Sequence, residues 1–142
     1  MPTQTAPSTP NHRLLRVLIV DDMPQVRREM RQALELTNEL EVVGEAANGL
    51  EAVSQAEALH PDVMVTDLEM PVMDGFEATR RIKERHLADR VVILSVHVDS
   101  DNLKRAHEAG ADVFIDKASR FTTLMSAIVV ARQPVQSKQE ER

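Results

Sequence analysis

A chain of 142 residues that is 42% hydrophobic and 28% charged has the size and balance of one globular domain, and its lack of cysteine excludes thiolate zinc sites, iron–sulfur clusters and Cys nucleophiles. A formal net charge of −6 argues against direct nucleic-acid binding, and three Phe with no Trp or Tyr leave no base-stacking platform. No apolar run approaches the roughly 18 residues of a membrane span and no secretory signal opens the chain, so no membrane contact and a cytoplasmic location are expected.

Residues 1–12, MPTQTAPSTPNH, hold three of the seven prolines and have the composition of a disordered tail. Residues 134–142, PVQSKQEER, form a polar tail at the other end. Between them, 13–133 reads as a single unit. Val17–Val20 is a short apolar strand ended by Asp21-Asp22. Pro24 opens a helix striped by Val26, Met30, Ala33 and Leu34. Glu41–Ala46 reads as a second strand, Asn48-Gly49 as a turn, and Ala52, Val53 and Ala56 mark a second helix. Asp62–Thr66 is a third strand ended by Asp67, followed by the loop LEMPVMDG and a helix lined by Phe76, Thr79 and Ile82. Val91–Leu94 is a fourth strand ended by Ser95, and Asn102–Ala109 a short helix stopped by Gly110. Val113–Ile115 is a fifth strand ended by Asp116-Lys117, and Phe121, Leu124, Ile128 and Ala131 stripe a last helix.

Five strand–helix repeats with nearly all-apolar strands predict an α/β fold, a doubly wound parallel sheet with helices on both faces. Ligands of such sheets sit at the carboxyl ends of the strands. With strand order 2-1-3-4-5, Asp21, Asp22 and Asp67 meet at the switch point, flanked by Ser95 and Lys117. Three clustered acids repel one another and call for a cation; Mg²⁺ takes one or two carboxylates with waters and phosphate oxygens. One acid can then act as a nucleophile toward phosphorus, giving an aspartyl phosphate, while a lysine and a hydroxyl hold the phosphoryl oxygens. Taken singly, each of these residues is more cheaply a helix-start acid, a turn former or a solvated lysine. Their joint placement at strand ends is what carries the inference.

The segments VLIVDD (17–22), VTDLEMPVMDGFE (65–77), ILS (93–95) and FIDK (114–117) stand in a distinctive order. In them the chain resembles a two-component response-regulator receiver domain, over residues 14–132. The resemblance implies a flavodoxin-like (βα)5 receiver fold. It implies Asp67 as phosphoacceptor, Asp22 as direct Mg²⁺ ligand, Asp21 acting mainly through water, and the backbone carbonyl of Glu69 completing the metal shell. It further implies Ser95 as switch hydroxyl, Lys117 as phosphate-binding lysine and Phe114 as switch aromatic. The phosphoryl donor would be a sensor histidine kinase or phosphotransfer protein. The output would pass through the helix 4–strand 5–helix 5 face to a downstream protein. Met125, Val129 and Val130 on the last helix suggest weak self-association strengthened by phosphorylation. On this view the chain is no enzyme beyond its own phosphorylation and dephosphorylation. Two departures stand out: Ser95 where many relatives have Thr, and Ala118 where many have Pro.

Two other classes fit less well. A phosphohydrolase of similar chemistry places a second Asp two residues after its nucleophile, where this chain has Glu69, and it needs a cap domain. A nucleotide-binding fold needs a glycine-rich turn after the first strand, where this chain has DDMPQ. Met64, Met70 and Met73 read as packing, the five His lack metal spacing, and His97 reads as a loop histidine. Arg27-Arg28 and Arg80-Arg81 read as solvated helix faces.

Overall fold

The computed structural model describes residues 13–117 together with Ile128. Strands and helices alternate along it: β1 (Leu15–Val20), α1 (Pro24–Glu35), β2 (Leu40–Ala46), α2 (Gly49–Leu59), β3 (Val63–Asp67), α3 (Gly75–Glu84), β4 (Arg90–Ser95), α4 (Ser100–Ala109) and β5 (Val113–Asp116). All four pairings are parallel and the sheet order is β2-β1-β3-β4-β5, as predicted. Of the last helix, Ile128 is helical and fully buried. Phe121, Leu124 and Ala131 lie outside the described residues, as do Met125, Val129, Val130 and both tails.

Side chains of a strand alternate between faces, so each apolar strand feeds two cores. Leu18, Val20, Met64 and Ile93 pack with Ala52 and Ala56 of α2, Ala78 and Ile82 of α3 and Ala106 of α4. Val17, Ile19, Val65 and Leu94 pack on the other face with Met30 and Leu34 of α1 and with Ile128. Fully burying each such aliphatic side chain contributes about 1.5–3 kcal/mol. Both faces being covered explains why the strands read as continuous apolar runs. Among the described residues, no helix is long and apolar enough to cross a membrane.

Helix starts follow local chemistry. Pro24 occupies the first turn of α1, where its missing N–H leaves no bond unmade. Asn48-Gly49 is a helix start and not a free turn: Asn48 caps α2 by accepting from the Glu51 N–H at 2.8 Å, and the Glu51 carboxylate accepts from the Ala47 N–H at 2.8 Å. Asp74 and Asp99 cap α3 and α4 in the same way. The latter cap starts α4 at Ser100, two residues earlier than its apolar pattern suggests. The edge strand β2 carries a register shift: Val17 pairs with Val42 but Leu18 with Gly44, leaving Val43 as the extra residue of a bulge.

The amino ends of the strands are fastened by Asp62. This residue lies one position before β3. Its carboxylate accepts from both guanidinium arms of Arg13, at 2.9 and 3.0 Å, and from the Arg16 N–H at 2.8 Å. Burial pushes the Asp62 carboxyl up, but the bonds from Arg13 and Arg16 outweigh it and hold it below its ordinary value of 3.8. The folded state therefore binds this proton less tightly than the unfolded chain. The stabilisation is complete above the ordinary value and is lost as the pH falls through the folded one. Asp62→Asn is expected to lower stability at neutral pH by about 1–3 kcal/mol. In urea unfolding at a series of pH values, the gap to wild type should close as the solution turns acid. A gap that stays constant with pH would refute the role of the charge.

Candidate functional site

β1 and β3 are neighbours, and Val20 pairs with Thr66. The next residues, Asp21 and Asp67, therefore leave the sheet side by side. Asp21 is fully buried, the Asp67 side chain is 12% exposed, and Asp22 is open to solvent. One carboxylate oxygen from each of the three lies within 4.8 Å of the others. Asp21 Oδ1 accepts from the Met23 N–H at 2.9 Å, and Asp67 Oδ1 from the Leu68 N–H at 2.8 Å. Their other oxygens face Lys117, whose Nζ lies 2.9 Å from Asp21 Oδ2 and 3.2 Å from Asp67 Oδ2.

Lys117 reaches the acids from just beyond β5. Its backbone N–H donates to the Ser95 carbonyl at 2.7 Å, which extends the β4–β5 ladder by one bond and fixes the root of the side chain. Burial opposes its ammonium, but the hydrogen bond to Asp21 and the charges of Asp67 and Asp21 raise its pKa overall. Burial likewise dominates at Asp67 and raises its carboxyl; Lys117 pulls the other way and the Asp21 charge pushes it further up.

Ser95 ends β4 and is buried. Its Oγ accepts from the His97 N–H at 3.0 Å and donates to the His97 carbonyl at 3.3 Å, so the hydroxyl is turned into its own loop. The exposed Glu69 side chain meets His97 Nδ1 at 3.3 Å. Phe114 is half-buried against the core on the α3 side of the sheet.

The loop after Asp67 is held tightly. The Met73 N–H closes on the Pro71 carbonyl at 2.7 Å around Val72, which has φ 71°, a strained three-residue turn. Gly75 packs so close to β3 that a Cβ there would stand 2.4 Å from the Asp67 carbonyl oxygen. Gly49 donates to the Met73 carbonyl at 2.8 Å, and a Cβ on it would sit 2.5 Å from that oxygen. The loop after Asp67 is thereby braced by the first residues of both α2 and α3. Met64 is buried and Met70 and Met73 pack on the core, in line with a packing role.

Four of the residues singled out from the sequence, Asp21, Asp22, Asp67 and Lys117, converge. Ser95 and Glu69 stand at neighbouring strand ends, and Phe114 lies within β5. Arg27 corrects the expectation of a solvated face: its side chain is only 18% exposed, and it donates to the Asp21 carbonyl at 2.7 Å and to Glu45 Oε1 at 3.1 Å. Helical periodicity gave its turn position but not these partners, which come from β1 and β2. Arg80 and Arg81 are half-exposed and pair with Glu77 and Glu84 on α3.

Three carboxylates facing one ammonium leave the pocket with excess negative charge. Hard oxygen donors at this spacing suit a divalent cation, and the half-buried Asp67 beside them has the setting of a carboxylate nucleophile.

Comparison with known proteins agrees with this geometry. The response regulator receiver domain family matches residues 17–129. The nitrate/nitrite response regulator NarL of Escherichia coli is 34% identical over 112 residues, covering 79% of this chain and 52% of that protein. The transcriptional regulatory protein LiaR of Bacillus subtilis is 40% identical over 119 residues, covering 83% of this chain and 56% of that protein. The chain thus spans about half the length of these two relatives. The chemotaxis protein CheY of Halobacterium salinarum is 38% identical over 112 residues, 79% of this chain and 92% of that protein. Among solved structures, the signal receiver domain of NarL from Mycobacterium tuberculosis superposes with a TM-score of 0.80 at 32% identity, covering 85% of this chain and 98% of that one. By fold, by the residues at its strand ends and by these matches, the chain belongs to the response regulator receiver domain family.

Proposed function

We propose that this receiver accepts a phosphoryl group on Asp67 with Mg²⁺ bound, and that the modification controls a partner. The observation that carries the proposal is the convergence of Asp67 with the Asp21–Asp22 pair on Lys117, which bridges Asp21 and Asp67. Asp22, the Asp67 carboxylate and the backbone carbonyl of Glu69 would hold the Mg²⁺, with Asp21 contributing mainly through water. The chemistry such an ion would supply there is screening of the carboxylates and neutralisation of charge on the phosphoryl oxygens.

A carboxylate oxygen of Asp67 attacks phosphorus of a phosphohistidine in a sensor kinase or phosphotransfer protein. The new P–O bond forms as the P–N bond breaks, and the imidazole nitrogen keeps the electron pair. Lys117, paired with both acids before transfer, gives a hydrogen bond to a phosphoryl oxygen afterwards. The hydroxyl of Ser95 exchanges its long 3.3 Å bond to the His97 carbonyl for a phosphoryl oxygen. Such a bond is worth about 0.5–1.5 kcal/mol net, more to an ionised acceptor, enough to shift a two-state equilibrium without locking it. Phe114 follows by packing into the space that Ser95 leaves. The change is read on the face of α4 and β5, together with the last helix expected from the sequence, by a downstream protein or by weak self-association.

Residues 13–133 form the working unit, acting in the cytoplasm without touching nucleic acid or membrane. The chain turns over no external substrate and catalyses only its own phosphorylation and dephosphorylation.

Acetyl phosphate with Mg²⁺ should add one phosphate, seen by mass spectrometry as a single mass increment absent from Asp67→Asn. An undiminished increment in that variant refutes the acceptor. Millimolar Mg²⁺ should raise the Tm of the wild type by linkage, and Asp22→Ala should lose most of the rise. Equal rises in the two proteins would remove Asp22 from the metal site.

A further inference from the structure

We infer that Arg27 is a positioning residue for the metal ligand Asp22, acting through the peptide bond between Asp21 and Asp22 and anchored by Glu45. The inference rests on the proposed role of Asp22. Asp22 is exposed, so its direction is set by the backbone that leads to it. The carbonyl of Asp21, the N–H of Asp22 and the Cα of Asp22 lie in one rigid plane. Arg27 Nη1 donates to that carbonyl at 2.7 Å. On the other side of Asp21, its own N–H donates to the Ala46 carbonyl at 3.1 Å. That plane is thus pinned from α1 and the peptide before it from β2, and together they set the angle at which Asp22 leaves β1 before any cation arrives.

Arg27 is itself held. Its Nε donates to Glu45 Oε1 at 3.1 Å, and Arg31 Nε donates to the other oxygen of Glu45 at 2.7 Å. Burial would raise the Glu45 carboxyl, but the two guanidinium groups hold it below its ordinary value. A planar guanidinium can bond a carboxylate through Nε and a carbonyl through Nη1 at once; a lysine ammonium is a point donor on a flexible stem and cannot hold both with fixed geometry.

The sign of the effect separates positioning from plain electrostatics. Arg27 is a cation beside an acidic pocket, so by charge alone it repels Mg²⁺, and its removal would tighten binding. A positioning role demands the opposite. Arg31 supplies a matched control: it carries the same charge and also bonds Glu45 through Nε, but its partners are Glu45 and Glu35 and not the Asp21 carbonyl.

The test measures the Mg²⁺ dissociation constant of the full chain by calorimetry, beside urea stability, for wild type, Arg27→Gln, Arg27→Lys, Glu45→Gln and Arg31→Gln. Arg27→Gln is expected to weaken Mg²⁺ on the order of tenfold, as loss of an outer-shell partner does. Arg27→Lys and Glu45→Gln should weaken it in the same direction, and Arg31→Gln should leave it unchanged while losing comparable stability. Glu45→Gln and Arg27→Lys keep the inference open to refutation if Arg27→Gln does not fold. Mg²⁺ bound by the wild type but held equally or more tightly by the Arg27 variants overturns the inference alone. A wild type that binds no Mg²⁺ overturns the metal site and the inference together.

Discussion

One ammonium answers two carboxylates in a pocket largely closed to water. Lys117 sits between Asp21 and Asp67, at 2.9 and 3.2 Å. Without it, two like charges on adjacent strands would repel at close range with little solvent to screen them. With it, the pair is tolerable but unbalanced, since Asp22 brings a third carboxylate within 4.8 Å. That Asp22 stays in solvent is part of the solution: water screens its charge. The raised carboxyl of Asp67 and the raised ammonium of Lys117 are two expressions of this one crowding.

The sheet exists in the form needed to bring those groups together. Lys117 follows β5, and Asp67 ends β3, with β4 between them. The side chain must pass over the end of β4, where the Ser95 carbonyl holds the Lys117 backbone. By register Asp67 stands level with Leu94 and Ile115, so Lys117 leaves β5 two residues beyond the acids and its side chain reaches back to them. On the opposite flank, close contacts at Gly75 and Gly49 keep the loop after Asp67 from drifting. Close packing is concentrated around Asp67, while Ser95 and Phe114 lie on β4 and β5.

Strand identity was legible from short-range rules, while the strand order that brings the acids together came with the family resemblance. Continuous apolar runs marked strands buried on both faces, and the topology then dictated which ends meet. What was not legible depends on partners distant in the chain. Arg27 looks like half of a charged pair until β2 supplies Glu45 and β1 turns its carbonyl toward it. Asp62 reads as the first residue of a strand, yet it stands one place before β3 because Arg13 and the Arg16 N–H claim its carboxylate. Asn48-Gly49 carries the composition of a turn, and only the reciprocal bonds with Glu51 make it a helix start. The bonds between Ser95 and His97 involve backbone atoms, to which residue types give no clue.

The bulge at Val43 has a consequence for how the domain meets other chains. β2 forms one rim of the sheet, and an exposed rim of peptide groups is an invitation for a foreign strand to add itself. A regular incoming strand would find the rhythm of donors and acceptors broken where Leu18 skips from Val42's partner line to Gly44. It would also meet the carboxylates of Glu41, which is exposed, and Glu45, which is already engaged by two arginines. This side of the molecule is thereby closed to strand addition. Along this rim recognition falls to side chains, whose chemistry can vary without endangering the sheet.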